Sequence, residues 1–162
     1  MIVFLDIDGV LNKHEKLASG YCGIRQEQVA NLNKLLDDLP DLKIVVSSAW
    51  RYLILRGDMT LKGFESLLLV HGVKCYGRVA GHTVADGDIC DEPDHFDIEA
   101  WKEVGLKMRA TQIKRYLEMN KISSFVVLDD LPLQINNQIQ TDPLIGLTVD
   151  DVEEAKRLLL AQ

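Results

Sequence analysis

Three places along the chain carry side chains that could do chemistry together. Asp6 and Asp8 stand two apart, with Gly9 behind them, after an apolar run over residues 1–5. Ser47 and Ser48 follow a second apolar run over 42–46, and Asp129 and Asp130 follow a third over 123–128. Two carboxylates at the end of a buried strand repel each other and cost desolvation unless a cation lies between them. A glycine behind them lets the backbone turn sharply and approach a ligand. This set suits phosphoryl transfer. A carboxylate can attack phosphorus and form an aspartyl-phosphate. Mg²⁺, held by one or two carboxylates with substrate oxygens and waters, would screen one anion from the other. A hydroxyl can bind a phosphoryl oxygen, and a nearby cation can stabilise charge in transfer. A second acid can protonate the leaving alcohol and then activate water. Each motif alone has a plainer reading: Asp-Gly and Ser-Ser are turn residues, and Asp130 could simply be a helix cap before Leu131 and Pro132.

These residues need elements that bring them together. The three apolar runs read as strands buried on both faces. Weaker strands are expected over 73–79 and 144–149. Helical spacing of Val29, Leu32, Leu35, Leu36 and Leu39 predicts a helix over 25–39, stopped by Pro40. Further helices are expected over 60–70, over 109–119 and at the end of the chain, the last capped by Asp150 or Asp151. Residues 13–23 and the acidic 86–97 read as loops. Strands alternating with helices imply a three-layer α/β fold, a Rossmann-like parallel sheet with helices on both faces. Ligands in such sheets bind beyond the carboxyl ends of the strands. Those ends hold the three motifs, and parallel neighbours bring them to one rim.

Composition narrows the setting. The 162 residues, 47% hydrophobic and 27% charged, fit one globular domain over 1–162 with a core of useful size. No apolar run approaches a membrane span or a signal segment, so a cytoplasmic protein without a membrane partner is expected. Cys22, Cys75 and Cys90 form no CxxC pair and read as reduced thiols rather than a zinc site. His14, His71, His82 and His95 lack metal-ligand spacing, and the acidic loop lacks the EF-hand register. A net charge of -7 argues against an extended nucleic-acid-binding surface but leaves room for a local basic pocket.

The motifs FLDIDGV (residues 4–10), IVVSSAWR (44–51) and FVVLDD (125–130) resemble those of the haloacid dehalogenase-like (HAD) superfamily of phosphohydrolases. The run R-x-x-Q-I-x-x-Y-L from Arg109 resembles the third motif in phosphatase domains of nucleic-acid repair proteins, where a Lys or Arg opens a helix. The resemblance implies a role for each matching residue. Asp6 would be the nucleophile and a Mg²⁺ ligand. Asp8 would be general acid and base, with its backbone carbonyl on the metal. Ser47 or Ser48 would hold the phosphoryl group; the strand pattern favours the first, the spacing to Trp50 the second. Arg109 would be the phosphate-stabilising cation, with Lys107 and Lys114 as competitors. Asp129 would bind Mg²⁺, with Asp130 supporting it. Trp50 and Arg51 would line the pocket or, for Trp50, join the core.

No stretch is long enough for the full cap domain that many superfamily members carry. A small lid within 72–105, centred on residues 81–97, is the most that fits. An open site of this kind is expected to take a phosphorylated substrate, either a polynucleotide end or a small metabolite or nucleotide. Two readings of other classes are a non-catalytic binding module with the HAD fold and a receiver-like domain phosphorylated by a partner. The intact acid set argues against the first, and serine at the end of 42–46 against the second.

Overall fold

The first apolar run forms β1 (Ile2–Leu5), the middle strand of a five-stranded sheet whose neighbours are all parallel. The computed structural model describes residues 1–14, 23–84 and 98–162. Beside β1 lie β2 (Lys43–Val46) and β4 (Phe125–Asp129), and at the edges β3 (Val79–His82) and β5 (Gln138–Gln140), in the order β3-β2-β1-β4-β5. Leu5 pairs with Val46 on one side and Leu128 on the other. The helices are α1 (Gln26–Asp38), α2 (Arg51–Leu55), α3 (Leu61–Val70), α4 (Ile98–Asn120) and α5 (Val149–Leu160).

Side chains alternate across a sheet, so each central strand serves two cores. Val3, Leu5, Ile44, Val46, Val126 and Leu128 face one way, onto Leu32 and Leu36 of α1, Phe64 of α3 and Val152 of α5. Phe4, Val45 and Val127 face the other way, onto Ile113 of α4. Tyr116 adds an edge-on ring contact to Phe4, with centroids 5.7 Å apart. This is the expected three-layer arrangement, and it explains why the central strands are continuously apolar. The fold is the Rossmann-like α/β class, and the described residues include no separate cap domain. Among the described residues, no helix is long and apolar enough to cross a membrane.

The structure corrects the sequence reading at the edges. The strand expected over 73–79 lies at β3, Val79–His82. Val73 and Cys75 are buried, but their backbone makes turn hydrogen bonds, Cys75 N–H to Val73 C=O and Arg78 N–H to Cys75 C=O. β3 itself has little apolar signal because Gly81 lies under Tyr116: a Cβ there would sit 2.8 Å from Oη. The strand expected over 144–149 lies at β5, where only Ile139 is buried between two glutamines. Residues 142–146 turn instead, with Ile145 and Gly146 N–H both donating to Asp142 C=O. The cap of α5 is Thr148, not Asp150 or Asp151; Asp151 closes a capping box from within the helix. Helix α4 begins at Ile98, so Arg109 lies in its interior rather than at its opening. It therefore borrows nothing from the positive end of the helix dipole. Parts of the region expected to hold a lid belong to β3, to the residues beside it and to α4; 85–97, and with it the acidic loop, lies outside the described residues. Cys75 is a free thiol, and burial pushes it up to about 11.

Because Ile113 is fully buried where α4 crosses the sheet, Ile113→Ala is expected to cost about 2–5 kcal/mol of stability. Chemical denaturation checks it; a loss below about 1 kcal/mol would mean α4 is not clamped at this point.

Candidate active site

Continuing the strand register by one residue past Leu5, Val46 and Leu128 sets Asp6 between Ser47 and Asp129. The ladder hydrogen bonds continue too, with Asp6 N–H donating to Leu128 C=O and Ser47 N–H to Leu5 C=O. By alternation this row falls on the face of Phe4, Val45 and Val127, which α4 covers. Arg109 lies four residues before Ile113, one helical turn nearer the carboxyl ends of the strands. Strand pairing and helix pitch thus converge on one point.

There the Arg109 Nη1 donates to Asp6 Oδ2, and to Asp129 Oδ1 and Oδ2 at 2.9 and 2.8 Å. All three residues are buried. Backbone donors fix the carboxylates further: Ile7 N–H reaches Asp6 Oδ1 at 2.7 Å, and Leu131 N–H reaches Asp129 Oδ1 at 3.0 Å. Lys107 and Lys114, the competitors for the cation's role, are exposed on α4.

The electrostatics are those of too many negative charges in one place. Burial raises the Asp129 carboxyl to about 7; Arg109 opposes the shift and Asp6 adds to it. Burial and Asp6 also raise Asp130, against His14 and Arg109. Burial alone would lower the Arg109 guanidinium, but Asp6 and Asp129 outweigh it and hold it charged. One guanidinium therefore faces three acids. Oxygen atoms of Asp6, Asp129 and Asp130 lie within 4.8 Å of one another. This all-oxygen set with surplus negative charge fits Mg²⁺.

The cluster does not include the Asp8 carboxylate. The Asp8 side chain is half-buried. Oδ1 accepts from Asn12 Nδ2 at 2.7 Å and Oδ2 from the Trp50 indole Nε1 at 3.1 Å. The turn carrying Asp8 is built tightly. Val10, Leu11 and Asn12 N–H converge on Ile7 C=O, and Gly9 has φ +74°. A Cβ on Gly9 would sit 2.7 Å from Asp130 Cγ, so only glycine fits beneath that acid.

The two serines differ. Ser47 lies in the row with Asp6, and among the described residues its buried Oγ has no hydrogen-bond partner. Ser48 is one step further, where its Oγ accepts from Trp50 N–H at 3.4 Å and its carbonyl from Arg51 N–H, starting α2. Arg51 is buried beneath the rim. Its Nη1 donates to Ser47 C=O at 3.0 Å, and its Nε and Nη2 to Gln112 Oε1 at 3.2 and 2.8 Å. It ties the serine turn to α4. Sequence reading missed three residues here: Asn12, Gln112 and Thr83. Thr83 follows β3, pairs onward with Val46 and carries a buried Oγ1 without a partner among the described residues. The visible signals were the polar identity of Asn12, four after Asp8, and the place of Gln112 within the run from Arg109.

Such a sheet, with paired acids at its rim and a buried cation between them, defines a HAD-type phosphohydrolase domain. The family model for the HAD domain in Swiss Army Knife RNA repair proteins matches residues 2–152, and the chain belongs to that family. No curated protein and no solved structure matches the chain.

Asp129 yields a pH prediction. Its carboxyl ionises near 3.8 when unperturbed and near 7 in the fold. Between those values the folded state holds the extra proton, so its contribution to stability falls as pH rises through that window. With a chelator present, Tm should decline from about pH 4 to about pH 7. Asp129→Asn should flatten the decline, and an unchanged slope in thermal scans would assign it to another group.

Proposed function

We propose that the protein is a Mg²⁺-dependent phosphomonoester hydrolase working through an aspartyl-phosphate on Asp6. The observation that carries this is the row Ser47, Asp6, Asp129 closed over by Arg109. It sets a fixed carboxylate, an unsatisfied hydroxyl and a buried cation around one place at the end of a parallel sheet. Asp6, Asp129 and the Asp8 carbonyl would hold Mg²⁺, with Asp130 beside them. Bound there, the ion would neutralise the phosphoryl oxygens and let an anionic nucleophile approach.

The chain's own residues do the rest. An Asp6 oxygen attacks phosphorus in line, and the bond to the leaving alcohol breaks. Asp8 gives that alcohol its proton. The phosphoryl group is now an acyl phosphate on Asp6. Asp8, deprotonated, takes a proton from water, whose oxygen attacks phosphorus and releases inorganic phosphate and the Asp6 carboxylate. Ser47 holds one phosphoryl oxygen. Arg109 holds another; a guanidinium has five N–H groups, so Nη1 can stay on the acids while its remaining donors turn to the phosphoryl group.

The substrate class we propose is the phosphate at a polynucleotide end. The repair context of the matching family supports it, as does a fold whose described residues form no cap to enclose a small molecule. The net charge of -7 limits contact to the terminal nucleotides rather than a long tract.

A panel of 3′- and 5′-phosphorylated oligonucleotides, nucleotides and sugar phosphates tests both parts. Mg²⁺-dependent turnover should be strongest on an oligonucleotide end and lost with chelator. Asp6→Asn should lower it by about a thousandfold or more. Preference for a sugar phosphate would overturn the substrate class, and full activity in Asp6→Asn would overturn the mechanism.

A further inference from the structure

We propose that Trp50 is a positioning residue for Asp8, holding the proton-transferring carboxylate through its indole N–H. The inference rests on the aspartyl-phosphate mechanism and concerns a side chain that mechanism leaves unused. The Asp8 carboxylate is gripped at both oxygens from two different elements. The Asn12 amide orientation is settled by its own contacts: Oδ1 accepts from Gly9 N–H at 2.8 Å, so Nδ2 faces Asp8 Oδ1. Trp50 Nε1 supplies the second grip on Oδ2. Both partners are donors, and each takes one lone-pair direction of its oxygen. Among the described residues, one direction per oxygen stays open for a leaving group or a water.

Trp50 suits the task because it is itself immobilised. Its indole packs against the apolar core on the α1 side of the sheet. Its backbone follows Ser47 and Ser48, and the next residue, Arg51, anchors the turn to Gln112 on α4. Indole adds a large rigid body with only two side-chain torsions. Asn12, by contrast, lies in the same turn as Asp8 and moves with it. Trp50 references the Asp8 carboxylate to β2, the strand whose end carries the hydroxyl expected to hold the phosphoryl group. Without it the carboxylate can rotate away from the line of proton transfer, while Asp6 and Arg109 remain in place.

Trp50→Phe keeps the packing and removes the donor. Pre-steady-state hydrolysis of p-nitrophenyl phosphate separates the two half-reactions. Its leaving group departs without a proton, so the burst should stay within about threefold of wild type. Release of phosphate from Asp6 needs Asp8 as base, so the steady-state rate should fall about tenfold to a hundredfold. Acid-quenched phosphoenzyme should accumulate. With an alkyl phosphate, which needs the proton, the burst should slow as well. Burst amplitude counts competent sites, so partial misfolding lowers the amplitude without changing the ratio of rates. A burst and a steady state slowed by one common factor, or left unchanged, would overturn the proposal while the wild-type burst keeps the mechanism standing. A wild type with no burst and no trapped phosphoenzyme would overturn both.

Discussion

Two acids buried side by side at the ends of neighbouring strands are the constraint around which this molecule is arranged. Asp6 and Asp129 cannot both be ionised there without a countercharge, because water is excluded and their repulsion is poorly screened. Arg109 supplies that charge from across the layer. Its place follows from the fit of α4 to the sheet: Ile113 meets Phe4, Val45 and Val127, and one turn further the guanidinium meets the acids. The packing of an apolar core thus sets the distance between charges. That one guanidinium faces three acids leaves surplus negative charge, which a divalent cation would satisfy.

The turn after β1 is the second part of the arrangement. It is fixed from several sides at once. Asn12 bridges Gly9 and Asp8, Thr141 Oγ1 donates to Gly9 C=O at 2.8 Å, and Asp130 lies against the bare Cα of Gly9. Residues following β4 and β5 thereby press on the loop that carries Asp8. The acid set behaves as one interlocked unit rather than as independent side chains.

The centre of this architecture was readable in the sequence and its margins were not. A strand covered on both faces must be apolar, so residues 2–5, 44–46 and 125–128 stand out, and the polar residues at their ends stand out with them. Edge strands bear no such demand. β3 contains Gly81 because a tyrosine passes over it, and β5 reads Gln-Ile-Gln, so the apolar signal lies in the stretches beside them. Arg109 carries no local signal either. A cation in the interior of a helix looks like any solvated residue until the helix is laid on the sheet, and only the resemblance to a known motif singled it out. Which of Ser47 and Ser48 shares the row of Asp6 follows only from the register, since one residue decides which face a side chain takes. The Trp50 to Asp8 hydrogen bond joins residues 42 positions apart and has no trace in either stretch alone.

The strand order has a consequence for the way the chain matures. β1 is made first, yet both of its flanking partners come later, and β4 begins only at Phe125. A growing polypeptide must therefore hold its first apolar segment half-covered until more than a hundred further residues have been added. Contacts so distant in sequence close slowly, and unpaired strand edges invite intermolecular association meanwhile. The carboxylate that stands at the heart of the molecule is thus made well before the strand that brings its charged neighbour.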